Sequence, residues 1–190
     1  MLEIRKINDT ISIGLLDLRA FSIQEAIQVK RELERAGTRY LLGKLLKSDD
    51  FNLCYTSENK PFLKNRTEHI SISHSHDKLV IILNTNESTG IDIEQIRDKV
   101  KNVQHKFLNE KELNFTNGDV DKLITLWAAK EAMYKVYGLK EVEFSKNLFV
   151  EDYSGSEMTG RIETENLKKS YRLINEKIDD YKMVYVLYEL

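Results

Sequence analysis

A chain of 190 residues with one proline, Pro61, and eight glycines offers few positions at which a helix or strand must end. Such a sequence is expected to fold into regular elements joined by short connections, and no low-complexity segment or flexible linker divides it. Its 41% hydrophobic and 32% charged residues are a globular rather than a disordered composition. Lys and Arg total 29 against 31 Asp and Glu, a net charge of −2 that argues against a nucleic-acid partner. The balance is uneven, with 12 basic and 9 acidic side chains in residues 1–66 and 17 and 22 in the remainder. A phosphate-binding surface is therefore expected to draw on the first third. The apolar runs 79–83 and 183–188 are too short to span a bilayer, which predicts no membrane association. The opening Met-Leu-Glu-Ile-Arg-Lys is unlike a signal peptide. The single cysteine, Cys54, cannot form an internal disulfide, and a cytoplasmic location is expected.

Ser22 followed by Glu25 reads as a capping box opening a helical run from about residue 23 to 46, with Gly37 as a break within it. Strands are expected at 51–56, 69–75, 78–83 and 91–94. Helices follow at 100–115 and 120–137, the latter closed by Gly138. The tail predicts a meander at 148–153, 157–163, 171–175 and 183–190, with 175–180 as the last hairpin connection. Helices then strands, twice over, describe two α+β halves.

Four segments could carry chemistry. In Gly90-Ile-Asp-Ile-Glu94, strand alternation puts Asp92 and Glu94 on one face, about 6–7 Å apart. Their repulsion, about 2–3 kcal/mol at an intermediate dielectric, asks for solvent, a basic side chain or a cation. For a lone Asp-x-Glu, a strand face with two solvated acids is the ordinary reading. In Trp127-Ala-Ala-Lys-Glu-Ala-Met-Tyr-Lys135, residues 127, 131 and 135 form one helical stripe. A surface ion pair covers Glu131 and Lys135, but Trp127 on that stripe suggests that it faces protein or ligand. In Ile70-Ser-Ile-Ser-His-Ser75, alternation puts Ile70 and Ile72 on the core face and the serines opposite, with His74 near the strand end. His74 and His76 invite a zinc reading, although His69 and His105 stand at no recognisable ligand spacing; a hydroxyl and an imidazole could equally hold phosphate oxygens. Asn59-Lys-Pro61 reads as a turn, with Asn59 suited to the left-handed region.

In their joint order these segments resemble the 4′-phosphopantetheinyl transferase superfamily, and within it the longer, surfactin-synthetase-activating branch. The resemblance runs from about Lys30 to Gly138, and no motif is shared after about Val142. It implies an α+β fold of two similar halves, 1–95 and 96–190, packed with pseudo-two-fold symmetry around one core. The first half would bind coenzyme A and the second would carry the metal and the catalytic helix. The implied reaction moves the phosphopantetheine arm of coenzyme A to a serine of an apo acyl or peptidyl carrier protein. It releases 3′,5′-ADP and depends on Mg2+, with Mn2+ as a substitute.

By position in the motifs, Asp92, Glu94 and Glu131 match the metal ligands and Lys135 the lysine facing the pyrophosphate. Glu112 falls at the general base, with Glu110 or water as competitors. Arg39 matches a contact to the 3′-phosphate, Lys60 and Pro61 the turn beside the adenine, and Ser73, His74 and Lys130 further coenzyme A contacts. Arg31 and Arg35 share the helical run of Arg39 without a secure match. The shorter holo-acyl-carrier-protein synthases lack a comparable N-terminal half, so Arg39, Lys60 and His74 point to a monomer. The alternative is an idle module that binds coenzyme A or a carrier protein. Joint presence of Asp92, Glu94, Glu131 and Lys135 favours the enzyme.

Overall fold

Two strands that the sequence pattern did not announce come first: Leu2–Lys6 (β1) and Ile11–Asp17 (β2) form an antiparallel hairpin. Helices Leu18–Glu25 (α1) and Lys30–Leu46 (α2) follow, then the short hairpin Leu53–Tyr55 (β3) and Pro61–Leu63 (β4), and strands His69–Ser75 (β5) and Lys78–Asn84 (β6). The computed structural model describes residues 1–138 and 142–190. They form two compact units, Met1–Thr89 and Gly90–Leu190, each mixing helices with antiparallel sheet.

In the first unit the sheet order is β1-β2-β6-β5. Strand β6 is the apolar run read from the sequence, and Leu79 to Ile82 are wholly buried. Helix α2 packs Leu41 and Leu42 against Leu79 and Ile81. Both helix boundaries differ from expectation. Asp17, not Ser22, caps α1, accepting from the Ala20 amide at 2.9 Å. The break falls at Ala26, in the left-handed region at φ 56°, while Gly37 lies inside α2. A Cβ on Gly37 would come within 2.8 Å of Leu18 and 3.3 Å of Leu79, so this glycine serves close approach of helix to sheet. The serine face of β5 also differs: Ser71, Ser73 and Ser75 are all buried, whereas Ile72 is half-buried and His74 exposed.

The second unit contains Ile91–Gln95 (β7), a 3-10 turn at Asp98–Asn102, helices Gln104–Phe107 (α3), Glu110–Thr116 (α4), Val120–Tyr137 (α5) and Phe144–Asn147 (α6), and strands Leu148–Ser154 (β8), Glu157–Glu163 (β9), Lys168–Ile178 (β10) and Tyr181–Glu189 (β11). The sheet order is β7-β11-β10-β9-β8. The single helix expected at 100–115 is three short pieces, because Leu108 is extended and Asn109 starts α4 through a reciprocal capping box with Glu112. The last hairpin is tighter than expected, turning at Asp179 and Asp180 with Asp179 at φ 52°. Among the described residues no helix is long and apolar enough to cross a membrane.

Helix α5 crosses this sheet with little side chain between them. Ala128, Ala129 and Ala132 are fully buried, and Gly90 at the start of β7 lies under the helix backbone. A Cβ on Gly90 would sit inside the contact radius of the Ala132 carbonyl oxygen and 3.0 Å from Val136 Cγ2. The glycine of the Gly-Ile-Asp-Ile-Glu segment therefore permits the close contact between the acidic strand and the helix.

Candidate active site

Along α5 from Leu123 to Val136, only Trp127, Glu131, Tyr134 and Lys135 are not buried. Three of the four are the stripe at 127, 131 and 135, which follows from the i, i+4 geometry of the helix. That stripe meets β7. Lys135 Nζ donates to Asp92 Oδ1 at 2.8 Å and to the Ile91 carbonyl at 2.9 Å. Trp127 Nε1 donates to Glu94 Oε1 at 3.1 Å. Burial and the neighbouring Asp92 and Glu94 carboxylates push Glu131 up to about 7, partly opposed by Lys135. Asp92 is 4% exposed, so the solvated strand face is not what forms.

The structure thus brings Asp92, Glu94, Glu131 and Lys135 together. Among the described residues no three His, Cys, Asp or Glu side chains close into a ready metal cage. The donor chemistry nevertheless fits magnesium: three carboxylates in electrostatic reach of one another, with oxygen as the only ligand atom. A divalent cation would relieve the repulsion that raises Glu131. Lys135 makes two of its three possible N–H bonds here, and a quarter of its side chain is exposed.

Two residues that the resemblance placed on substrate or in catalysis have different partners. Lys130 is fully buried and its ammonium donates to the Phe107 carbonyl at 2.7 Å, Glu112 Oε2 at 2.6 Å and the Phe144 carbonyl at 3.0 Å. All three donors are used, which leaves none for coenzyme A. Burial holds this ammonium below lysine's ordinary value, against the pull of Glu112. Glu112 accepts from Lys130 and the Asn109 amide on Oε2, and from the Val150 amide on Oε1. At 4% exposure, with both oxygens engaged, it has the bonding of a structural carboxylate.

The first unit holds a cavity of about 670 Å3 lined by Arg31, Glu34, Arg35, Thr38, Leu53, Tyr55, Asn59, Pro61, Ile72 and His74. Its volume suits a nucleotide-sized ligand. Arg31, Arg35 and Thr38 recur at helical spacing on one face of α2. Arg39 lies about 80° round the helix from Arg31 at 100° per residue. Its guanidinium instead stands over the Phe51 ring, 5.1 Å from the centroid. Asn59 adopts φ 66°, the left-handed turn expected of it. Pro61 and His74 line the cavity; Ser73, on the opposite face of β5 by strand alternation, is buried away from it. His74 Nδ1 lies 3.4 Å from Glu34 Oε1, and His76 is in the β5–β6 turn at φ 53°. Lys60 donates to Ser88 Oγ at 2.9 Å, and burial pushes its ammonium down. Sequence reasoning missed Glu34, Tyr55 and Thr38. Helical spacing from Arg31 and Arg35 could have found Glu34 and Thr38, but nothing local signals Tyr55.

A glycine-seated acidic strand under a helix with a Trp-Glu-Lys stripe agrees with the comparison to known families. The sequence profile of the 4′-phosphopantetheinyl transferase superfamily matches residues 88–186, just over half of the chain, and the chain belongs to that superfamily. The matched span covers β7, α5 and most of β11. No curated protein matches the chain.

Proposed function

We propose that the protein is a magnesium-dependent transferase that moves the phosphopantetheine arm of coenzyme A to a serine of an apo acyl or peptidyl carrier protein. We assign it to the longer, surfactin-synthetase-activating branch, as a cytoplasmic monomer. The observation that carries this reading is the meeting of Asp92, Glu94, Glu131 and Lys135 on one side of α5. Superfamily membership supports phosphopantetheine transfer in general.

In this reading Asp92, Glu94 and Glu131 would hold magnesium, which supplies charge neutralisation at the pyrophosphate oxygens. Lys135 directs its remaining N–H at the leaving phosphate and stabilises charge that develops as the bond to 3′,5′-ADP breaks. The cavity of the first unit takes the nucleotide end. Pro61 and Tyr55 offer flat walls to a base, and Arg31, Arg35 and His74 offer donors to a phosphate. The serine hydroxyl proton goes to water or Glu110 in this assignment, since Glu112 is engaged elsewhere.

Incubation with coenzyme A, magnesium and an apo carrier protein is the direct test. Intact mass should show the carrier heavier by one phosphopantetheine arm, and chelation of divalent ions should stop the gain. No gain across several apo carriers would leave the idle binding module as the better reading. Replacement of Arg31 and Arg35 together by glutamine should raise KM for coenzyme A about 10–100-fold, the scale of one charged hydrogen bond shared between two solvent-exposed arginines, with a smaller change in kcat. The effect should largely vanish with coenzyme A lacking its 3′-phosphate. An equal effect on both substrates would move the phosphate away from these arginines.

A further inference from the structure

The buried Lys130–Glu112 pair has no part in the reaction just described, and a buried ion pair is weak as a source of net stability. Its geometry suggests another use. An ammonium fixes three acceptors at once, and here they lie on α4 and at the ends of two other short helices: Glu112, Phe107 and Phe144. The two carbonyls belong to aromatic residues whose rings flank Trp127. The Phe107 ring stands edge-on to it at 5.0 Å and 70°, and the Phe144 ring is tilted at 5.6 Å and 31°. Trp127 then donates its indole N–H to Glu94. Glu112 in turn anchors the ammonium to the start of α4 and, through the Val150 amide, to β8.

We propose that Lys130 and Glu112 are positioning residues: a buried staple that clamps Phe107 and Phe144 about Trp127 and so aims the indole N–H at the Glu94 carboxylate. The proposal rests on the reading of Glu94 as a metal ligand. A methionine of similar volume at 130 would fill the space but hold neither carbonyl. Glutamine at 112 would still accept from Lys130, so the grip on both carbonyls would persist.

Trp127 is the sole tryptophan, so its emission reports on the clamp in the folded protein, apart from any activity. The test compares the full chain with Lys130→Met, Glu112→Gln and the double variant, by thermal melting, tryptophan emission, and kcat and KM for coenzyme A. Lys130→Met should lower Tm, shift the emission to the red and reduce kcat by about 30–100-fold, as expected when a reacting constellation is displaced. KM should change little, because Lys130 touches no ligand. Glu112→Gln should keep near-native emission and a kcat within about tenfold of wild type, whereas loss of a general base would cost about 100–10,000-fold. The double variant should regain most of the lost Tm, since no charge is left unpaired, yet keep the shifted emission and low kcat.

Two results would overturn the proposal. One is a Glu112→Gln protein with native emission and no transfer, which would make Glu112 the base. The other is a double variant that recovers emission and kcat along with Tm, which would make the pair purely structural. If the wild type itself transfers no arm, the functional reading fails while the emission series still judges the staple.

Discussion

In metal-free buffer at pH 8, Glu131→Gln should melt several degrees higher than the wild type, and with magnesium restored it should have lost transfer. Glu131 stands beside Asp92 and Glu94, and its carboxyl is pushed from 4.5 up to about 7 in the folded protein. A raised carboxyl means that the native state holds the proton more tightly than the unfolded chain does. The associated stability is therefore complete below about pH 4.5 and is lost as pH rises through about 7. Above that range Glu131 itself is ionised, beside the carboxylates that repel it. The cost has an upper bound of about 3 kcal/mol, less for a side chain that water still reaches, so about 1–2 kcal/mol is expected. In a domain of this size that corresponds to a rise in Tm of roughly 2–8 °C for Glu131→Gln. The difference should shrink toward pH 5, and saturating magnesium should reverse its sign, because only the wild type would bind the ion with three carboxylates. Melting curves at pH 5 and 8, with and without magnesium, check all of this. A variant no more stable than wild type at pH 8 would mean that the three acids are not in strained proximity. Such a gain in stability with loss of activity is the usual relation between a strained site and its fold.

Gly90→Ala should be nearly as damaging to activity, without touching any side chain of the site. The added methyl would overlap the Ala132 carbonyl oxygen and press Val136, and the obstruction is helix backbone that cannot rotate away. Either β7 or α5 must move. The expected cost is about 2–4 kcal/mol for overpacking against backbone. The same displacement would separate Asp92 and Glu94 from Glu131 and Lys135, and about 1 Å of separation is worth roughly 100-fold in rate. Gly160→Ala provides the comparison. There the added carbon meets the flexible Met133 thioether and Leu173, which can adjust, so transfer should be much less affected. Thermal melting and carrier loading by intact mass separate the two effects. Equal activity of Gly90→Ala and wild type would show that the strand and helix need not touch so closely.

Much of the second unit was legible because its signals are local. The extent of α5, from Val120 to Tyr137 with Gly138 as its left-handed cap, follows from apolar spacing and a single glycine. The acids of β7 and the stripe of α5 could be placed on their faces by periods of 2 and 3.6. Where signals depended on distant atoms the reading failed. Gly37 looks like a break, because a glycine inside a helix usually weakens it, yet it is there to admit Leu18 and Leu79. Alternation sets the serines of β5 opposite the core face, yet they are buried. Arg39 stands on the right helix, but a helix carries its residues round by 100° each, and those at 31 and 35 reach the cavity instead.

Glu112 and Lys130 mark the limit most plainly. As residue types near a catalytic motif, a carboxylate and a lysine are equally suited to chemistry or to structure. The choice depends on which acceptors and donors surround them in space. For this protein the sequence by itself determined the family, the acidic strand and the helical stripe, because those depend on neighbours within one or two turns or along one strand. Only the tertiary structure decided which charged side chains meet one another, which are sealed inside, and that Gly90 lets them meet. Those outcomes depend on burial and on contacts between residues 18 to 43 positions apart, and no local periodicity records them.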